Sequence, residues 1–521
     1  MAKVELYDTT LRDGAQSEGI SFSVADKLKI CAKLDELGVD FIEGGWPGAN
    51  PKDMEFFKKA KSLKLEKSEV VAFGSTCRAK TNASKDVVLK GLLLAGTRYI
   101  TIFGKSWDLH VKDVFKVDLD ENLRMISDSV NYLKSKGKKV FYDAEHFFDG
   151  YIGNKEYALE TLKAARYAGA ERIILCDTNG GTVTTQVFEI VEEVRSVIDT
   201  PIGIHAHNDC EMAVANSVAA IQAGAVQVHG TMNGYGERCG NANLVSIIAA
   251  LKLKLGIDCV SDIALKELAE TAHFVAEISN MKLQDNQPFV GNSAFAHKAG
   301  IHVNAILKNP KTYEHVDPSS VGNRRRLLIS ELSGKSTIIK KAEDMGLGIG
   351  KDTEKSKKIL KVLQDLESKG YHFEAAEASL EILIKRVMKK FKDFFELEDF
   401  RVIIEKRKGG RMSTEATIKV RVGKEIEHTA SLGDGPVNAL DSALRKSLRK
   451  FYPKLAEMHL TDYKVRVLDE KEGTAARVRV LIQSQDKTDS WWTIGVSENV
   501  VEASWQALVD SIEYKLLKDS R

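Results

Sequence analysis

The sequence has few cysteines, no excess of charge of either sign and no long apolar run. Its six cysteines are scattered and form no Cys-x-x-Cys pair, which excludes the disulfide framework of small secreted domains and favours a reducing compartment. Lys and Arg number 76 against 74 Asp and Glu, so the net charge of +2 gives no reason to expect a nucleic-acid partner. No apolar run reaches the length of a membrane span, and a strand-like run begins already at Val4. We therefore expect a cytoplasmic protein without nucleic-acid or membrane partners.

Short apolar runs alternate with amphipathic helical segments through the first half of the chain. Helical patterns such as 24–37, 122–133 and 157–168 lie between these runs, and they often end at a glycine, as helices do. Eight such runs within about 255 residues are typical of a (β/α)8 barrel, whereas a doubly wound sheet, the alternative, gives no reason to stop at eight. The predicted strands are Val4–Tyr7, Phe41–Glu43, Val70–Phe73, Tyr99–Phe103, Val140–Tyr142, Ile173–Leu175, Ile202–Ile204 and Val226–His229.

Polar side chains follow the predicted strands at their carboxyl ends. In a (β/α)8 barrel these ends meet at one mouth, where functional groups are expected. Because so many charges cannot be buried there unpaired, a metal and a polar substrate are the natural partners. The groups are Asp8, Arg12 and Asp13 after strand one, Glu43 after strand two, Asp143 and Glu145 after strand five, Asp177 and Thr178 after strand six, His205 and His207 after strand seven, and Asn233 to Asn241 after strand eight.

His205 and His207 end the seventh predicted strand two residues apart. Residues at this spacing share one face of a strand, so both imidazoles can bind the same ion. Two ligands rarely hold a divalent cation alone, and Asp13 would complete a site of one carboxylate and two histidines with positions open for substrate. The alternative, for the two histidines taken alone, is a pair of satisfied side chains at a strand end.

The chain beyond the barrel divides into two further regions that differ in their predicted secondary structure. We predict the barrel over residues 1–275, helical connector subdomains over 276–395 and a C-terminal α+β domain over 396–521. A length of 521 residues with 43% hydrophobic content is enough for two or three domains.

Gly334-Lys335-Ser336 resembles the end of a phosphate-binding loop, but it lacks the required glycine and strand before it. We interpret it as an ordinary loop.

The C-terminal region contains an internal repeat. The segment 429–444 can be laid over 493–508, and the same residue types recur at equal spacing. Two copies of one strand-loop-helix unit indicate a pseudo-symmetric module, which commonly serves dimerisation or small-ligand sensing, while a purely structural repeat is the alternative. The matching pairs are Thr429 and Thr493, Val437 and Val501, Ala439 and Ala503, Ala443 and Ala507, and Leu444 and Leu508.

Two motifs together resemble a known family. Leu11-Arg12-Asp13-Gly14-Ala15-Gln16, followed by Lys27, and His205-Ala206-His207-Asn208-Asp209 are similar to the barrel motifs of the acetyl-CoA-dependent 2-oxo-acid Claisen synthases and related lyases. The resemblance continues through Asn233 to Asn241, through His297 to His302 and over the C-terminal module. It therefore covers nearly the whole chain.

The resemblance implies a metal site. Asp13, His205 and His207 would bind a divalent ion (Mn, Mg or Zn), with Asn241 as an outer or fourth ligand. The physical chemistry agrees, because a 2-oxo acid can chelate one metal through its carboxylate and keto oxygens, which makes the keto carbon electrophilic.

The resemblance also implies roles in substrate binding and catalysis. Arg12 would polarise the 2-oxo group and stabilise the alkoxide as it forms, and Thr178 would hydrogen-bond the substrate carboxylate. Glu145 would serve in proton abstraction from the methyl group of acetyl-CoA, a weak acid that needs a positioned base. His302 and Tyr313, from the connector, would approach the acetyl-CoA end. A strand-end carboxylate in an ion pair is the alternative for Glu145.

Three segments most resemble the family members that condense pyruvate with acetyl-CoA, namely 43–48, 325–335 and 435–440. The resemblance thus implies pyruvate and acetyl-CoA as substrates, on a route to isoleucine that does not start from threonine. It also implies a homodimer that isoleucine or leucine inhibits through residues after about 396. The alternatives are a different 2-oxo acid as substrate, a lyase on the same barrel, and a non-catalytic amino-acid sensor.

Overall fold

The computed structural model describes residues 3–328, 339–340, 342–343, 346, 353–406, 408, 410, 412–468 and 476–520. The predicted loop at Gly334-Lys335-Ser336 lies outside the described residues. The chain forms two compact units, the first made of residues 1–295 and 315–325 and the second of residues 296–314 and 326–521. The predicted domain boundaries near residues 275 and 395 stay predictions. Within the described part of the chain, no helix is both long enough and apolar enough to cross a membrane.

The first unit is a closed barrel of eight parallel strands in chain order, which confirms the predicted fold. Strand β1 closes the barrel against β8, with Leu6 opposite Val228. The strands are short and rich in apolar residues, as expected where helices cover the outside and side chains fill the inside. They are β1 Glu5–Asp8, β2 Phe41–Gly45, β3 Glu69–Ser75, β4 Tyr99–Lys105, β5 Lys139–Glu145, β6 Arg172–Asp177, β7 Ile202–Ala206 and β8 Gln227–Gly230.

The helices around the barrel begin and end at the residues that local chemistry favours. Ser23 and Asp26 form a reciprocal capping box at the start of the first long helix, and Gly38 ends it with a φ of 89°. The helices of this unit are Val24–Leu37, Pro51–Ala60, Val87–Ala95, Leu119–Ser135, Phe147–Gly153, Lys155–Ala168, Thr184–Val197, Ala213–Gln222, Leu244–Lys254, Asp262–Leu265 and Leu268–Ile278, with a π-helical turn at His110–Phe115.

Aromatic rings fill the barrel interior towards the amino-terminal ends of the strands. Phe41 lies 5.0 Å from Tyr99 and 5.0 Å from Phe141 between ring centroids, and Tyr7 stacks on His229 at 3.8 Å. We call the cluster of Tyr7, Phe41, Tyr99 and Phe141 the aromatic floor. Side chains alternate along a strand, so Asp143 and Glu145 follow Phe141 on the inner face of β5. The polar groups of the site therefore lie above this floor.

The second unit contains a short parallel strand pair and two antiparallel sheets of three strands each. The pair is β9 Ala296–His297 with β10 Arg326–Leu327. The sheets are β11 Glu396–Lys406, β12 Met412–Val422 and β13 Glu425–Gly433, and β14 His459–Val467, β15 Val478–Gln485 and β16 Ser490–Ser497. Its described helices are Gly300–Lys308, Thr353–Ser368, Glu377–Val387, Pro436–Leu448 and Val500–Asp519.

The internal repeat is confirmed as two copies of a three-stranded sheet followed by a helix. In the first copy the Thr429 hydroxyl donates to the Ala443 carbonyl at 3.1 Å. In the second, the Thr493 hydroxyl donates to the Ala507 carbonyl at 2.7 Å. Both bonds join the last strand of a sheet to the helix that follows it. This shared bond explains why threonine recurs at the same place in both copies, and both alanines are fully buried.

Candidate active site

His205 and His207 lie at the end of β7 with their ring nitrogens facing each other. The two Nε2 atoms are 3.2 Å apart, and both residues are buried. Burial and the neighbouring His207 lower the pKa of His205 to about 3. Burial likewise lowers the pKa of His207, although Asp13 opposes the shift. Both rings are therefore neutral near pH 7, the form that coordinates a metal.

Asp13 completes the predicted group of three ligands. Its Oδ2 atom lies 3.5 Å from His205 Nε2 and 3.9 Å from His207 Nε2. Burial alone would raise the pKa of Asp13, but Arg12 and the two histidines outweigh it and keep the pKa below its usual range. One carboxylate and two imidazoles that converge within 4.8 Å suit a divalent cation.

Asn241 adjoins these ligands through the backbone, since it pairs with His207 in an isolated β-bridge. Its side chain is buried, and Nδ2 donates to the Tyr235 carbonyl at 3.2 Å. Among the residues that the structure describes, its Oδ1 atom has no hydrogen-bond partner. A buried amide oxygen without a partner costs free energy unless something else binds it. This observation supports a fourth ligand at Asn241, and it shows that the residues present fit a metal.

Arg12 lies above the end of β1 and is held on three sides. Its Nε donates to Glu43 at 2.6 Å, a terminal nitrogen lies 3.2 Å from Asp13, and the guanidinium lies 3.7 Å from the centre of the Phe73 ring. Glu43 is fully buried and also accepts hydrogen bonds from Tyr7 and Thr9. The guanidinium is thus fixed before any ligand arrives, which is the condition for electrostatic stabilisation of a developing charge.

Glu145 ends β5 and forms an ion pair with Lys105, which ends β4. Glu145 lines a cavity of about 250 Å³, together with Phe103 of β4. The cavity brings together all but one of the predicted site residues of the barrel, namely Arg12, Asp13, Glu145, Thr178, His205 and His207. A cavity of this size is large enough for a small oxo acid and the end of an acyl group.

Thr178 follows β6, and its hydroxyl oxygen accepts a hydrogen bond from the backbone N–H of His146 at 2.9 Å. His146 makes this bond from a left-handed backbone conformation, with a φ of 55°. Because the hydroxyl oxygen already accepts, the O–H group is left to donate. The geometry therefore suits the predicted bond from Thr178 to a substrate carboxylate.

His302 and Tyr313 belong to the second unit. Their rings lie 4.2 Å apart and are tilted by 31°, so they form a pair with each other. Tyr313 is 46% exposed. Their predicted approach to the acetyl-CoA end stays a prediction.

Three residues of the site had no individual role predicted from the sequence. Lys105 pairs with Glu145, Glu43 anchors Arg12, and Asp143 lines the cavity as a buried carboxyl group. Burial and the nearby Glu43 raise the pKa of Asp143 well above its usual value. The signal that could have found Lys105 is its place at the end of the fourth strand, since functional groups of a (β/α)8 barrel are expected at the carboxyl ends of the strands.

The fold and the site together define a class of barrel protein with a carboxylate and two histidines at its mouth. Residues 3–275 match the model of the HMGL-like family, and because this match spans more than half of the 521 residues, the chain belongs to that family. Residues 289–370 match the homocitrate synthase post-HMGL domain-like model. Residues 374–516 match the LeuA allosteric (dimerisation) domain.

Full-length relatives place the chain more narrowly. It is 55% identical to the (R)-citramalate synthase of Aquifex aeolicus and 55% identical to that of Geobacter sulfurreducens, in both cases over 99% of this chain and 98% of the relative. It is 32% identical to a 2-isopropylmalate synthase of Methanocaldococcus jannaschii, over 99% of this chain and 95% of the relative. Within the HMGL-like family, the chain is thus a member of the (R)-citramalate synthase group.

Proposed function

We propose that the protein is an acyltransferase that condenses acetyl-CoA with pyruvate and, with water, releases (R)-citramalate and CoA. The observation that carries the proposal is the convergence of the Asp13, His205 and His207 donors with Arg12 and Glu145 in one cavity. Kinship with the (R)-citramalate synthases supports pyruvate as the oxo acid. We also infer a cytoplasmic location and a place on a threonine-independent route to isoleucine.

The oxo acid occupies the cavity beside the proposed metal ligands. Asp13, His205, His207 and the Asn241 amide oxygen would hold a divalent ion, Mn, Mg or Zn. When bound, such an ion polarises the keto group of a chelating 2-oxo acid. The Thr178 hydroxyl donates to the substrate carboxylate and fixes its orientation.

Carbon–carbon bond formation needs a base and a stabilised oxyanion. Glu145 takes a proton from the acetyl methyl group, and the resulting carbanion attacks the keto carbon of pyruvate. The keto oxygen gains the electron pair, and the Arg12 guanidinium, already fixed by Glu43, donates to the alkoxide. The alkoxide then takes up a proton from solvent, and Glu145 returns to solvent the proton that it removed. Water finally cleaves the thioester, so that the C–S bond breaks and CoA leaves as the thiol.

Residues 374–516 carry regulation and assembly in this proposal. The match to the LeuA allosteric (dimerisation) domain and the duplicated module both support a homodimer with an effector site. We infer feedback inhibition by isoleucine or leucine. Titration of either amino acid into the full-length enzyme should lower the rate of citramalate formation at fixed pyruvate. Full activity at saturating levels of both would contradict the inference.

The release of CoA thiol from acetyl-CoA tests the proposed reaction directly. Purified protein with Mn²⁺ or Mg²⁺ is offered pyruvate, 2-oxobutanoate, 2-oxoisovalerate and 2-oxoglutarate in parallel. We expect pyruvate to have the highest kcat/KM, and we expect exhaustive chelation to abolish turnover until metal is restored. Preference for 2-oxoisovalerate would instead indicate an isopropylmalate synthase, and turnover that survives chelation would refute the metal site.

A further inference from the structure

Arg238 lies in the loop after β8 and bonds to the loops after both β6 and β7. Its Nε donates to one carboxylate oxygen of Asp209 at 2.8 Å, and a terminal nitrogen donates to the other at 3.0 Å. The same terminal nitrogen donates to the Thr178 carbonyl at 2.7 Å. Paired bonds from a planar guanidinium fix orientation as well as distance. One side chain therefore joins the ends of three strands at the mouth of the site.

The backbone around Arg238 is held in an unfavourable conformation. Arg238 has a φ of 54°, a left-handed value that favours glycine. Glu211, in the loop that carries Asp209, has a φ of 59°. The backbone N–H of Asn208 donates to the Gly240 carbonyl at 2.9 Å, a second bond between the same two loops. Such conformations persist where surrounding contacts hold them, and they occur often at functional sites.

The residues that Arg238 holds lie next to groups of the proposed site. Asp209 follows the ligand His207 by two positions, and the N–H of His207 donates to the Asp177 carbonyl at 3.1 Å. Thr178 is held on two sides, because His146 donates to its hydroxyl and Arg238 to its carbonyl. A change at Arg238 would thus move the Thr178 hydroxyl without removing it.

We propose that Arg238 and Asp209 are positioning residues, which act through Thr178 to set the hydroxyl that receives the 2-oxo-acid carboxylate. The inference rests on the proposed function and extends it to two residues outside the ligand set. Arg238 also lines the cavity, so direct contact with the substrate is the competing role. The two roles differ in one measurable respect. A residue that acts through Thr178 loses its effect once the Thr178 hydroxyl has been removed.

A double-mutant cycle on the full-length enzyme separates these roles. Arg238→Met is expected to raise the KM for pyruvate about 10- to 100-fold, as a small misplacement of a binding group does, with a smaller change in kcat. Thr178→Val should raise the same KM. The double variant should resemble Thr178→Val alone, because coupled residues are not additive. Arg238→Lys should give an intermediate KM, since lysine keeps the positive charge but cannot make the paired hydrogen bonds of a planar guanidinium.

The barrel offers a matched control at its opposite end. Arg172 donates through two nitrogens to the Glu5 carboxylate, at 3.1 and 2.9 Å, and through a third to the Glu171 carbonyl at 2.7 Å. Arg172→Met removes equivalent bonds far from the cavity and should leave the KM for pyruvate unchanged. If Arg238→Met does not fold, as judged by circular dichroism, Asp209→Asn replaces it in the cycle, because it removes the charge and one of the two acceptors of Arg238 with little change in size.

Each result of the cycle decides the question. A double variant whose KM rises by the product of the two single effects would refute positioning through Thr178. An equal rise in KM for Arg172→Met would also refute it, because the effect would then be general to the barrel. If the wild-type enzyme releases no CoA with any oxo acid, the proposed function fails first. Calorimetric titration of pyruvate into the metal-loaded wild type and Arg238→Met then tests the positioning alone, with equal affinities overturning it.

Discussion

Arg12→Lys separates the shape of the guanidinium from its charge. Lysine keeps one positive charge but loses the planar fork that contacts Glu43 at 2.6 Å and Asp13 at 3.2 Å, and it loses the contact at 3.7 Å with the Phe73 ring. Removing one fixed donor to a developing oxyanion costs about 2.7 to 4 kcal/mol, which is about 10²- to 10³-fold in kcat. We expect a loss of this size in kcat.

The effect of Arg12→Lys on stability should be smaller than its effect on rate. Deleting one partner of a buried ion pair costs about 3 to 5 kcal/mol, but lysine can still neutralise Glu43, which Tyr7 and Thr9 also hold. CoA release measures the rate, and thermal unfolding of the same sample measures the stability. The surface residue Arg124 pairs with Glu121 and Asp128 on one helix, so Arg124→Lys is a control that should leave the rate unchanged. A kcat for Arg12→Lys within about threefold of wild type would refute the proposed role.

Three further exchanges test the base, the repeat and an acid-sensitive ion pair. Glu145→Gln should lower kcat by about 10²- to 10⁴-fold with little change in the KM for pyruvate, and an unchanged kcat would exclude it as the base. Thr493→Val removes the bond to the Ala507 carbonyl and should lower the free energy of unfolding by about 1 kcal/mol in a denaturant titration; no change would show that the bond is not stabilising. Burial raises the pKa of Asp486, but hydrogen bonds from Thr488 and Lys515 outweigh it and lower the pKa below its usual range. The contribution of Asp486 to stability is therefore present at pH 7 and lost on acidification. Asp486→Asn should lower the melting temperature at pH 7, and the melting temperatures of variant and wild type should differ less below about pH 4. A difference in melting temperature that stays the same at both pH values would contradict this.

The barrel could be predicted because each strand and helix carries its own local signal. The pattern over 24–37 predicted a helix that the structure has at the same residues, since a capping box and a glycine mark its ends. The pattern over 122–133 gave a helix too short at both ends, because the structure extends it to Leu119–Ser135 after Asp118. The two histidines were found for the same reason, since their spacing is a property of one strand.

Pairs of residues from different strands and loops could not be predicted in the same way. Lys105 and Glu145 lie on neighbouring strands, and Arg238 meets Asp209 and Thr178 only because the barrel closes. Such contacts depend on the register between elements, which no local pattern in one sequence specifies. The anchoring of Arg12 by Glu43 belongs to the same class.

The aromatic floor closes one end of the site. Tyr7, Phe41, Tyr99 and Phe141 close the barrel beneath the ligand set, so the cavity can be loaded and emptied only from the mouth. A molecule bound against the metal ligands must therefore enter before the one that lies above it, and it must leave after it. For the proposed reaction, with acetyl-CoA on the mouth side of the oxo acid, this shape predicts a kinetic order in which the oxo acid binds first and acetyl-CoA second, and CoA departs before the new acid.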